Sequence, residues 1–145
     1  MPSVKAMWRN SDGLTKLGMC TFYNSKVKEV VLPSTLKQLP SGLFQKCSHL
    51  TTVRLGKKVD IINEYVFDGC PLADIYVGAA LPPVCYDNTF ANVATDFLKT
   101  CRVHVPKGRE KYYRAKSYWD QFENIIDDIY RDNEYTRNRR AETPC

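Results

Sequence analysis

The amino-acid sequence predicts a repeat solenoid of mixed α+β character: short parallel strands joined by irregular or 3-10 turns, with a helical cap at the C-terminal end. Three observations carry the prediction. Residues 30–52 recur in pattern 23 residues later, each copy opens on an alternating apolar triplet, and the repeats run into an aromatic-rich closing segment. Self-similarity at a fixed period of roughly 20–50 residues marks chains built from stacked supersecondary units.

The repeat is visible when 30–52 is set above 53–74. Phe44 then falls on Phe67 and Cys47 on Cys70, both 23 residues apart, while Val30, Leu32, Leu36, Leu39 and Leu43 fall on Val53, Leu55, Val59, Ile62 and Val66. The frame continues through Ile75, Val77, Leu81 and Val84, with Phe90 one residue late. After a longer insertion it resumes at Val103 and Val105. Backwards, Phe22 lies on Phe67, Ser25 stands where Cys70 would be, and Leu14 and Leu17 lie on Val59 and Ile62. The repeats therefore span approximately 8–29, 30–52, 53–74 and 75–102, with a cap over 103–130.

The triplets Val30-x-Leu32, Val53-x-Leu55, Ile75-x-Val77 and Val103-x-Val105 carry the period-2 signal of a half-buried strand. Pro33, Gly56, Gly78 and Pro106 follow them and end each strand, because proline lacks the ladder donor and glycine accepts a turn. No run within a repeat is long enough for a regular helix of three turns, so Leu39 to Cys47 is expected to hold a turn of helix at most. One repeat cannot bury its own apolar face, so equivalent side chains must stack coil upon coil. This assigns Phe44, Phe67 and Phe90 to one interior column and Cys47 and Cys70 to another, as small interior fillers.

In the closing segment, Pro106 and Gly108 end the last strand, GREKYYRAK (108–116) is rich in helix formers, and Trp119, Phe122 and Ile125 recur at three-residue intervals. That bulk suits a cap over the last coil, which would otherwise expose its core. Asp127 and Asp128 are expected to end that last element in solvent. Residues 131–145 are almost free of apolar side chains and are expected to form a flexible tail.

The order strand-Pro/Gly-x-x-Val-x-x-Ile, then Phe-x-x-Cys-x-x-Leu, at about 23 residues, resembles the BspA-like leucine-rich repeats of Bacteroides-type surface proteins. The closing run Val103-x-Val105-Pro106-Lys107-Gly108, then Tyr112 or Tyr113, then Trp119-x-x-Phe122-x-x-Ile125, is similar to that family's end segment. The resemblance covers about residues 14–128 and departs at the eroded first repeat, the insertion between Phe90 and Val103, and the tail. It implies a leucine-rich-repeat domain over 1–130 that contacts a protein partner at the cell surface or after secretion. In a secreted protein, Cys85 and Cys101 could pair as a disulfide across the insertion.

Charge and motifs narrow the function further. The net charge of +5 is distributed as +7 over residues 1–60, −4 over 61–101, +4 over 102–120 and −2 over 121–145. That alternation is no continuous basic stripe of the kind a nucleic-acid groove requires. No stretch approaches the roughly 20 apolar residues of a membrane span, and the start has no apolar signal-peptide region, so the chain is either cytoplasmic or a piece of a longer protein. No CxxC, HExxH, P-loop or GxSxG motif occurs, and no cofactor, metal or catalytic residue is predicted. The one near pair for cysteine-dependent catalysis, Cys47 and His49, is placed by the repeat with Cys47 inward and His49 outward.

Period-2 alternation turns the residues between the buried strand positions outward. Val31, Arg54, Tyr76 and His104 form one outward row, and Glu29, Thr52, Asp74 and Arg102 the row beside it. The candidate partner-binding residues are Arg54, Tyr76, His104, Asp74 and Arg102. Two other readings stand beside this one: a capped end of a longer repeat stalk with no ligand of its own, and self-association through the N-terminal end, where only Met7, Trp8, Leu14 and Leu17 are available as cover.

Overall fold

A computed structural model describes residues 17–130 together with the strand at Lys5–Met7. The expectations for Trp8, Leu14 and the tail at 131–145 lie outside the described residues, as does most of the N-terminal surface considered for self-association.

Six short parallel strands form the main sheet: β1 (Lys5–Met7), β2 (Glu29–Val31), β4 (Thr52–Leu55), β6 (Asp74–Val77), β7 (Arg102–Pro106) and β8 (Asn124–Ile129), hydrogen-bonded in that order. Two further strands, β3 (Gln38–Leu39) and β5 (Ile61–Ile62), pair in parallel as a second ladder, which an Ile61–Val84 bridge extends. Successive coils therefore stack in register. Val30, Val53, Ile75, Val103 and Ile125 are direct partners across the main sheet, and all are buried.

The interior columns form as the repeat dictates. Phe22, Phe44, Phe67 and Phe90 stack with ring centroids 5.4, 5.8 and 5.3 Å apart, and Tyr118 continues the column onto Phe90 at 5.3 Å. Offset aromatic stacking at such spacing adds to the burial of each ring. Cys47 and Cys70 are fully buried, and each thiol donates to the carbonyl of a phenylalanine one coil back: Cys47 to Phe22 at 2.9 Å and Cys70 to Phe44 at 3.1 Å. Cysteine suits the position because it is small and apolar yet brings a second, weak donor to carbonyls that already accept one amide each, that of Ser25 on Phe22 and that of Cys47 on Phe44.

Between the strands the turns also bond coil to coil. The amides of Gly42, Phe44 and Lys46 donate to the carbonyls of Glu64, Val66 and Asp68, and those of Tyr65, Phe67 and Gly69 donate to Asn88, Thr89 and Ala91. Aiming these amides along the stacking axis puts two turn positions at positive φ in successive coils: Cys20, Gly42 and Tyr65 at 57°, 69° and 61°, then Asn24, Lys46, Gly69 and Asn92 at 58°, 63°, 76° and 53°. The insertion after Phe90 is folded as well. It contains a helical turn, α1 (Phe97–Thr100), whose buried Phe97 packs 5.5 Å from Phe90.

The closing segment departs from the expected helical cap. It holds a five-residue helix, α2 (Glu110–Arg114), a 3-10 turn at Trp119–Gln121, and then β8, which adds a sixth strand to the sheet. The three-residue spacing of Trp119, Phe122 and Ile125 imitates a helix, but Asn124–Ile129 is rich in β-branched isoleucine and finds open backbone groups on β7. Cover over the core comes from side chains. Trp119 is fully buried and donates from Nε1 to the Pro83 carbonyl at 2.7 Å, and Tyr113 is fully buried with its hydroxyl on the Ala79 carbonyl at 2.7 Å. Its neighbour Tyr112 is exposed, since adjacent residues on one helical turn point about 100° apart. Asp127 and Asp128 lie inside β8 rather than at its end. The Asp127 carboxylate accepts the Gly108 amide at 3.0 Å.

Candidate functional site

The outward side of the main sheet carries the candidate residues because parallel pairing in register sets equivalent positions side by side. Val31, Arg54, Tyr76 and His104 are successive partners, and so are Glu29, Thr52, Asp74 and Arg102. Strand β8 extends both rows, placing Asn124 beside Arg102 and Ile126 beside His104. The signal for this strand was present in the 22-residue step from Val103 to Ile125, the same step that separates Val53 from Ile75.

Side chains along the first row stack on one another. The Arg54 guanidinium sits 3.9 Å from the Tyr76 ring centroid, and the His104 ring lies 4.1 Å from Tyr76, nearly parallel at 8°. Arg54 comes from β4 and His104 from β7, the two strands flanking β6, so both faces of Tyr76 are occupied. Arg54 also pairs with Glu29 at 3.5 Å.

The second row is held by charge. Arg102 grips Asp74 with two hydrogen bonds of 2.7 Å, a bidentate geometry that outweighs a single contact. His104 Nε2 lies 2.9 Å from Asp74, and its Nδ1 lies 2.9 Å from Asp128 on β8. Neutral imidazole has one N–H and meets one of these carboxylates as donor, whereas imidazolium meets both. The hydrogen bond from Arg102 holds the Asp74 carboxyl below its usual range, with His104 adding to the effect against the opposing cost of partial burial. Read as an open contact residue, His104 instead has a side chain only 9% accessible, because Tyr76 covers its ring and Asp74 and Asp128 cover its nitrogens. Val31 is buried too. Period-2 alternation tells which side a residue faces and not how deeply its neighbours cover it. The most exposed of the charged groups are Arg102, at 52% of its side chain, and Asp128, at 43%, with Arg54 and Glu29 at 28% and 29%.

Elsewhere the chemistry is that of packing. The Cys47 thiol is occupied by the Phe22 carbonyl, while His49 is exposed with its Nδ1 3.5 Å from the Ser48 hydroxyl, so the two do not meet. Burial pushes the Cys47 and Cys70 thiols up, away from the thiolate that nucleophilic attack needs. Cys85 and Cys101 are separate thiols, each pushed up to about 12 by burial, and the disulfide considered for them does not form. Among the described residues no cluster of histidine, cysteine and carboxylates could hold a metal ion, and no helix is long and apolar enough to cross a membrane. A cavity of about 310 Å³ lies between the turn at Gly69–Ala73 and the insertion, lined largely by apolar groups including Leu72, Val93 and Phe97.

A family model described as BspA type leucine rich repeat region (6 copies) matches residues 7–95, about three-fifths of the chain, and ends before the closing segment. No curated protein matches the sequence. A match of that extent agrees with the coil-on-coil register, the phenylalanine column and the cysteine column, all of which run through the matched residues. The chain belongs to the BspA-type leucine-rich-repeat family.

Proposed function

We propose that the chain is a non-catalytic, protein-binding or adhesion-type repeat module of a bacterial surface or secreted protein, and that its partner meets the outward side of the main sheet. The observation that carries this reading is the continuous ladder from Glu29 and Arg54 through Tyr76 and His104 to Asp74, Arg102 and Asp128. Side chains already held by their neighbours lose little freedom when a partner docks, which lowers the entropic cost of association. Arginine and tyrosine are also enriched among residues that dominate binding energy. Because both faces of Tyr76 are covered, a sugar ring or nucleobase stacking on it is disfavoured, and a protein contacting its edge and the flanking charges fits better. Family membership supports display outside the cell. The alternative, a capped stalk end without a ligand, draws on the burial of Tyr113, Trp119 and Phe122 beyond the last matched repeat.

The test compares the parent chain with the Arg54→Ala, Tyr76→Ala double variant as baits for proteins extracted from host-cell surfaces, followed by measured affinities for whatever the parent captures. Loss of hot-spot contacts predicts a weakening of roughly 2 kcal/mol or more, about thirtyfold, with the melting curve retained. Equal affinities would move the contact to the loops around Lys46, Lys57 and Lys58. A parent that captures nothing would favour the stalk.

A further inference from the structure

The turn joining β7 to α2 is a second surface with a different character. Lys107, Arg109 and Lys111 lie within five residues of each other, and Lys107–Lys116 holds five cations against one carboxylate, Glu110. Glu110 is committed to Arg114, at 2.6 Å, and the Asp127 carboxylate that reaches the turn from β8 to the Gly108 amide, at 3.0 Å. Two exposed tyrosines stand among the cations: Arg109 and Lys111 lie 5.1 and 5.4 Å from the Tyr112 ring, and Lys107 lies 5.8 Å from the Tyr130 ring. The fold brings these two groups together. The Lys107 amide donates to the Ile129 carbonyl at 2.7 Å, which seats the end of β8, and hence Tyr130, beside the turn. Tyr112 is 41% exposed and Tyr130 64%, so both side chains reach water.

We propose that this turn, through Lys107, Arg109, Lys111, Tyr112 and Tyr130, is a peripheral docking site for an anionic lipid surface. It lies just past the C-terminal ends of β7 and β8, beyond the ladder assigned to a protein partner. Lysine and arginine carry their charge on long apolar stems, and tyrosine couples an apolar ring to a polar tip; both kinds of side chain sit favourably at the headgroup level of a bilayer. The cations flank an open turn, where a Cβ at Gly108 would meet nothing within 4 Å, rather than lining a groove. That shape suits a broad sheet of phosphates, which imposes no geometry on its ligand, better than an acidic peptide, which needs a track. Attraction of each cation to an anionic leaflet strengthens binding about fivefold and fades within a Debye length, so the contact is superficial and sensitive to salt.

The experiment is co-sedimentation of the full chain with vesicles of phosphatidylcholine alone and of phosphatidylcholine mixed with one-third phosphatidylglycerol, at low and at high sodium chloride. Binding is expected to the mixed vesicles only, and to fall as salt rises. The triple variant Lys107→Gln, Arg109→Gln, Lys111→Gln should weaken it roughly a hundredfold. A control triple of equal charge change in earlier coils, Lys26→Gln, Lys37→Gln, Lys58→Gln, should leave most of it. Tyr112→Ser with Tyr130→Ser, which alters no charge, should weaken it several-fold, a loss that a soluble polyanion would not report. The proposal is overturned if the mixed vesicles are not bound at low salt, if both triples lose binding equally, or if the tyrosine pair changes nothing. Thermal melts of each variant confirm that the fold survives.

Discussion

The turn that links strand to strand occurs four times in the described chain with the same backbone shape and different residues, which makes it an internal experiment on backbone strain. Asn24, Lys46, Gly69 and Asn92 hold φ of 58°, 63°, 76° and 53°, and the first three donate the same coil-to-coil bond at 2.8 Å, to Gln45, Asp68 and Ala91. The left-handed region costs an ordinary L-residue about 1–2 kcal/mol, asparagine less and glycine nothing. Replacing Lys46 with glycine removes that cost. It also gives up about 0.5–1 kcal/mol through the freer unfolded chain, plus a small exposed contact with Tyr23 at 5.8 Å. The net expectation for Lys46→Gly is a gain of about 0.5 kcal/mol, a rise in Tm of one or two degrees.

The reverse change is the sharper half of the test. A Cβ at Gly69 would meet only the Lys46 Cα, at 3.8 Å, so space is available and the backbone angle alone sets the penalty. Gly69→Lys should therefore cost about 1 kcal/mol, and Asn24→Gly should change stability little. Urea unfolding followed by circular dichroism reads all three, with an unchanged m-value showing that the unfolded state is not the source. The reasoning fails if Gly69→Lys is neutral, or if Lys46→Gly destabilises while Asn24→Gly does not.

The buried thiols make a second prediction. Cys47 and Cys70 should resist a thiol reagent in the folded chain while exposed Cys20 reacts at once, and rapid labelling of all three would contradict the column. Burial raises the thiols of Cys47, Cys70, Cys85 and Cys101 above their unfolded value, so above about pH 9 the unfolded chain binds fewer protons than the folded one. Stability should hold below that pH and fall steadily towards pH 12, which urea titrations at rising pH would show as a declining midpoint; a flat profile would refute it. Third, Trp119→Ala removes a fully buried indole and its bond to Pro83, a loss of roughly 3–5 kcal/mol, and a melting point within a degree of the parent would show that the closing segment does not cover the core.

Much of this arrangement is legible in the residues because a repeat imposes one environment on every copy of a position. Phe44 and Phe67 predict each other's surroundings, and the triplets at Val30, Val53, Ile75 and Val103 place four strands and the parity of each. What escapes reading has a physical source in each case. Lys46 and Tyr65 show no glycine signal for their positive φ, because the coil-to-coil amide bonds impose the angle on whatever residue is there. Ile125 reads as the third member of a helical spacing from Trp119, and only the free edge of β7 decides in favour of a strand. His104 has the right parity for the outer face, yet its burial depends on Asp128, which belongs to that unread strand.

The same register that stacks the core also decides what the outer face can be. Parallel strands about 4.8 Å apart hold equivalent side chains at stacking and ion-pair distance, so neighbouring coils must differ in sign or size at these positions or repel. The chain meets that condition with glutamate and arginine across β2 and β4, and with aspartate, arginine and histidine across β6 and β7. Each outer side chain is thereby defined by the coil beside it. Removing Tyr76 would uncover one side of both Arg54 and His104, whereas removing Arg102 would leave Asp74 with His104, from the neighbouring row, as its charged partner. Single substitutions on this face should consequently fail to add, the coupling being largest between residues of adjacent strands and smallest between Glu29 and Asp128 at its two ends. A partner that reads this face reads a sequence of paired charges along the stacking axis, and a shift by one coil presents it with Thr52 for Glu29, Tyr76 for Arg54 and Arg102 for Asp74.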